Sequence, residues 1–233
     1  MAISVVQRNK GDDVAGVTGH VAVAFGSNNT AGNTIIVILV GSDTTLALWN
    51  SDYPLVSDSK VNTYTNVFNQ FNVANGVGIR AYVANAIAAG ANTVTQQDNN
   101  DACGLYIYEV SGLATSSPFD RSQFAVIGSS TAFTSGNTPT TTVANELLIG
   151  FAIATAAPTW TVGSGYSNLQ TNGAVANAGA AQEQIVSSTG AYSSTLTSSL
   201  SSSGLAAIVT FKGATSGAAT STPHLLASMG VGS

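Results

Sequence analysis

The chain has 233 residues, with 6 Lys and Arg, 11 Asp and Glu, and a formal net charge of -5. At 44% hydrophobic and 7% charged, against roughly 25% charged in ordinary proteins, it does not fit disorder, which goes with low hydrophobicity and high charge. It has no basic face for phosphates, and its apolar runs stop short of the roughly 20 residues of a spanning helix, so neither nucleic-acid binding nor membrane insertion is expected.

In chain order, short alternating or β-branched runs predict strands at 3–7, 20–25, 34–40, 61–65, 78–84, 93–96, 105–110, 124–127, 146–154, 159–162, 183–187, 191–196 and 205–212. Clusters of Gly, Asn, Asp, Ser or Pro separate them, the pattern of a sandwich or barrel. HVAVAF places Val21 and Val23 on one face and Ala22 and Ala24 on the other. TIIVILV is apolar on both faces and predicts a central strand covered on each side, with Ile35, Val37 and Leu39 facing one way and Ile36, Ile38 and Val40 the other. ELLIGFAIA reads similarly, and Gly150 within it predicts a bulge or a close backbone approach. Helix signals are weak. The Ala-rich 83–92 reads as a turn between strands, and 73–77 and 171–181 read as polar loops. The single Cys103 opens an apolar run and reads as a buried small hydrophobe, with an intermolecular bridge or a reactive thiol as the minority reading.

The expected fold is an all-β, two-sheet antiparallel β-sandwich over residues 1–212, followed by a linker and C-terminal tail over 213–233. The linker GATSGAATSTP has the composition of a flexible spacer. The tail HLLASMGVGS carries Leu225, Leu226 and Met229, which share one helical face. A frayed end is one reading of it, and a peptide that docks on a neighbouring subunit is the sharper one. The N-terminus shows no basic region followed by an apolar stretch, so no signal peptide is expected. A composition suited to life outside a cytoplasm, with no export address, fits a removed export signal, another secretion route or a protein that leaves the cell as part of a particle, and the Met1-Ala2 start favours the last.

Several strings occur together in order: NNTAGNTIIVILVG (28–41), VSDSKVNTYT (56–65), AGANTVTQ (89–96), LYIYEVSGLATSSPFD (105–120), TTTVANELLIGFA (140–152) and GAYSSTLTSSLSSSGLAAIVTFK (190–212). The series resembles the Ser/Thr/Gly-rich β-sandwich modules of bacteriophage structural proteins and bacterial surface proteins. The resemblance implies a two-sheet, jelly-roll-like fold with a D-S-x-x-N-T-Y-T hairpin. It implies no catalytic residues.

Candidate sites are sparse. His20 and His224 lie far apart, and no G-x-S-x-G elbow accompanies them. Glu109, Glu146 and Glu183 offer carboxylates. Glu109 and Glu146 flank apolar strands and would sit near each other in a sheet, but carboxylates at strand ends read first as loop caps. Asp98, Asn99, Asn100 and Asp101 form the best oxygen cluster for Ca²⁺, and the same string is a good turn former. Asp12–Asp13, Asp43, Asp52 and Asp58 lie elsewhere. No other cofactor is expected. The loop Trp49-Asn50-Ser51-Asp52-Tyr53, and after it Trp160 with Tyr166, are the candidate glycan or interface contacts, with core packing as the plainer reading. Leu225, Leu226 and Met229 are the candidate tail-docking residues.

Together these features lead us to expect a non-enzymatic structural protein of a bacteriophage virion, a capsid decoration or cement protein or a head or tail fibre subunit. Its partners would be copies of itself or other virion proteins. The alternative is a carbohydrate-binding or adhesive module on a bacterial surface, meeting cell-surface glycan through Trp49, Tyr53 or Trp160.

Overall fold

The computed structural model describes residues 2–13, 20–53, 56–97, 102–172 and 178–214. Fourteen strands and one short helix follow in the order β1 (Ser4–Asp13), β2 (His20–Ala24), β3 (Thr34–Ser42), α1 (Leu46–Asp52), β4 (Val56–Asp58), β5 (Thr65–Asn72), β6 (Val77–Ala84), β7 (Thr93–Gln97), β8 (Cys103–Ser111), β9 (Phe119–Thr134), β10 (Asn145–Ala154), β11 (Trp160–Thr161), β12 (Ser167–Thr171), β13 (Gly179–Ser187) and β14 (Thr195–Lys212). All pairings are antiparallel, as the expected all-β sandwich requires.

The strands form three sheets rather than two. A central sheet runs β1-β8-β3-β6-β5, and a small sheet runs β2-β7-β4. An outer sheet runs β12-β13-β10-β14, with β9 on the other edge of β14 and β11 pairing the start of that strand. The central sheet is therefore sandwiched. Ile35, Val37 and Leu39 pack with Val21, Val23, Val56 and Val94 of the small sheet. Ile36, Ile38 and Val40 pack with Leu147, Ile149, Phe151, Leu205 and Val209 of the outer sheet. This is why TIIVILV is apolar at every position: each face meets another layer.

Local chemistry explains two departures from the expected elements and decides between the two readings of Gly150. Residues 61–64 are not strand, and β5 begins only at Thr65. The Asp58 carboxylate accepts from Lys60 N–H (3.0 Å), Asn62 N–H (3.0 Å), Asn62 Nδ2 (2.7 Å), Tyr64 Oη (2.8 Å) and Asn92 Nδ2 (2.9 Å), which curls the chain around it. Val61 takes a left-handed φ of 58° within that turn. The segment is thus a crossover from the small sheet to the central one, not a hairpin, since β4 and β5 pair with different strands. Residues 46–52, with 49–52 expected as part of a loop, form α1, capped by Thr45 Oγ1 accepting from Leu48 N–H at 3.2 Å. Gly150 marks a close approach, not a bulge, because its register with both neighbours is unbroken. A Cβ there would lie 1.8 Å from Ser194 Oγ.

The outer sheet is tied to the central one at one edge by Arg8 on β1, which donates to both oxygens of Glu183 on β13 at 2.6 and 3.2 Å. At the opposite edge, where β5 and β9 run side by side, the layers meet through Phe68 and Phe124, with ring centroids 6.3 Å apart.

Candidate binding surfaces

The aromatic residues picked out in the sequence are packed rather than displayed. Trp49 and Tyr53 are both fully buried. Trp49 lies over paired glycines of β3 and β6, Gly41 and Gly78, where a Cβ on Gly78 would meet its ring at 2.5 Å. Its indole N–H donates to Asn69 Oδ1 at 2.8 Å, and the Arg80 guanidinium stands 4.7 Å from its ring centroid. Arg80 is itself buried and donates to Trp49 O at 2.7 Å and Asn50 Oδ1 at 2.9 Å. The string 49–53 is therefore an anchor between helix and sheet, with no ring face left for a sugar. The cause is the small size of the two glycines, 37 positions apart in sequence, which no reading of the string itself exposes.

Trp160 and Tyr166 cover the far face of the outer sheet. Trp160 packs edge-on against Phe133 at 5.0 Å. Tyr166 packs on Leu148 and Ile208, and its hydroxyl donates to Ser193 O at 3.1 Å. Trp160 also lines a shallow cavity of about 330 Å³ with Lys10, Pro158, Thr159, Leu169, Thr171 and Asn172. Of the predicted aromatic contacts, Trp160 lines this cavity.

The candidate carboxylates differ in what holds them. Glu109 on β8 accepts from Gln7 Nε2 (2.6 Å), Asn29 Nδ2 (2.8 Å), Thr30 N–H (2.8 Å) and Asn33 Nδ2 (2.6 Å). Burial pushes its pKa up, but these donors outweigh burial and hold it below the ordinary glutamate range. Glu146 on β10 belongs to a different sheet from Glu109, so the two are not neighbours within one sheet. It is fully buried. Burial first, and then the adjacent Asp120 carboxyl, push it up to about 7. Asp120 accepts from the Thr142 N–H and hydroxyl, both at 2.6 Å, and stays below its usual range despite its own burial.

Cys103 is buried at the start of β8, and His20 is exposed at the start of β2. Asp98–Asp101, His224, Leu225, Leu226 and Met229 lie outside the described residues. Among the described residues, no group of three or more His, Cys, Asp or Glu is placed to hold a metal ion, and no helix is long and apolar enough to cross a membrane.

One surface was not singled out in the sequence. β5 and β9 are both edge strands. Phe124 and Val126 of β9 pair with Ala207 and Leu205 of β14, so they share the inward face of the outer sheet. Yet Phe124 is 36% and Val126 59% exposed. They lie at the open lateral mouth of the sandwich, with Phe68 of β5 beside Phe124. Toward the start of β9, Thr65, Val67, Val83, Asn85, Ser117, Pro118 and Phe119 enclose a cavity of about 270 Å³. The run QFAVI reads as a strand from sequence, but its place at a sheet edge depends on pairings that periodicity does not encode. The chain matches no family model, no curated protein and no solved structure.

Proposed function

We propose that this chain is a non-enzymatic structural subunit of a bacteriophage virion, a capsid decoration or cement protein or a fibre subunit, packing against copies of itself or other virion proteins. The observation that carries this reading is the lateral seam, where Phe124 and Val126 are exposed beside two unpaired strand edges. Exposed apolar side chains beside free edge strands mark a surface that needs a partner. The rest of the exterior is low in charge, which lets equal copies pack without repeated like-charge repulsion. Of the carboxylates that a hydrolase would use, Glu109 is engaged by four donors in holding loops and Glu183 is paired with Arg8.

The test is mass in solution by light scattering across a concentration series. A defined oligomer is expected, and Val126→Asp should weaken it at least tenfold while leaving the melting temperature within a few degrees. A chain that stays monomeric at high concentration overturns the reading. The second reading, a carbohydrate-binding module of a bacterial surface protein, draws on the cavity of Trp160, Lys10, Thr159, Thr171 and Asn172. An aromatic wall with amide, hydroxyl and cationic neighbours suits an acidic sugar. A glycan-array signal lost in Lys10→Ala would favour it.

A further inference from the structure

We infer that the seam between β5 and β9 is the receiving groove for the C-terminal segment 224–231 of a neighbouring copy. The inference rests on the structural-subunit reading above and names what covers that surface.

Chemistry matches on the two sides. The seam presents Phe68, Phe119, Phe124 and Val126 around an apolar mouth. Residues 215–233 contain no Asp, Glu, Lys or Arg, and carry Leu225, Leu226, Met229 and Val231 close together. Such a segment enters an apolar groove without stranding a charged side chain. The outward backbone groups of β5 and β9 add hydrogen bonds for any segment laid along them, as in strand addition.

Position and length fit as well. β14 ends near the cavity, where Lys212 N–H donates to Pro118 O at 2.7 Å and Ala114 N–H donates to Lys212 O at 2.9 Å, and the described chain then ends at Ala214, whose N–H donates to Gly112 O at 2.8 Å. Pro118 and its neighbours Ser117 and Phe119 line that cavity. Residues 215–224 separate the last described residue from Leu225. Residues 215–223 extended span about 30 Å, against a radius of gyration of about 17 Å for a fold of this size. That is the reach of an arm to the next copy. Because each copy offers one arm and one seam, head-to-tail exchange closes into a ring or continues as a filament.

The full chain carrying Val126→Cys and Leu226→Cys, with the buried Cys103 left in place, tests this by mild oxidation, non-reducing electrophoresis and peptide mass spectrometry. Expected are disulfide-linked multimers joined between positions 126 and 226, absent when either substitution is made alone. A 126–226 link within one chain overturns the inference. So does no link while light scattering still shows assembly, and in that case the structural-subunit reading stands. A monomer throughout overturns both. Independently, full-length Leu226→Asp should weaken assembly at least tenfold with unchanged melting of the monomer, and undiminished assembly with that variant overturns the inference.

Discussion

At the scale of single residues, glycines and carboxylates decide more than the aromatic residues they serve. The Trp49 indole fits because Gly41 and Gly78 face each other across β3 and β6 and leave a flat bed. Gly78→Ala puts a methyl into the ring, and we expect a loss of about 1–3 kcal/mol in chemical denaturation. An unchanged midpoint would show that the indole shifts freely. Glu146 gives a pH prediction. Its folded pKa is raised from 4.5 to about 7, so its contribution is fully present below pH 4.5 and is lost as pH rises through 7. Asp120, held low, acts in the opposite sense and matters only on acidification below its ordinary pKa. The melting temperature should therefore fall between pH 5 and pH 8, by a stability change of no more than about 3 kcal/mol. Glu146→Gln, a permanent neutral amide, should flatten that slope. An equal slope in the variant would assign the effect to another group.

At the scale of elements, legibility followed burial pattern. β3 and β10 were readable because both faces of each are apolar, and that signal needs no knowledge of partners. Val37→Asp or Ile38→Asp should unfold the domain, since each places an unpaired charge in a dry layer between sheets; a soluble variant with unchanged melting would refute the layering. The helix α1 escaped notice because seven residues are too few to show a 3.6-residue period. Residues 197–204 of β14 escaped for another reason. Ser198–Ser203 is poor in strand formers, and it extends because β9 and β11 hold it, with hydroxyl contacts such as Thr134–Thr195 at 2.9 Å and Ser129–Ser201 at 2.9 Å. The candidate site was the least readable part. Phe124 and Val126 have the spacing of ordinary core residues, and only the strand order reveals that they lie at an edge, part-exposed.

At the scale of the whole molecule, three stacked layers account for the lack of charge. A sheet buried on both faces consumes apolar residues at consecutive positions, and Ser, Thr and Asn supply the exterior. With 17 charged residues in 233 and an apolar seam, association should depend weakly on ionic strength. Raising salt from about 0.05 to 0.5 M shortens the Debye length severalfold, yet the dissociation constant measured by light scattering should change less than about threefold. A tenfold weakening would show that ion pairs, not the seam, join the copies.

The position of β14 has a consequence for biosynthesis. It lies between β10 and β9, yet it is the last strand of the described chain to be made. Until the ribosome releases it, β9 and β10 both present raw edges, and the apolar inner face of the outer sheet has a gap down its middle. The outer layer therefore closes in one late step rather than growing strand by strand. A stalled or prematurely terminated chain loses the keystone of a whole sheet, so for this protein the time of greatest aggregation risk is the under-a-minute span of its own synthesis, at roughly 5–20 residues per second.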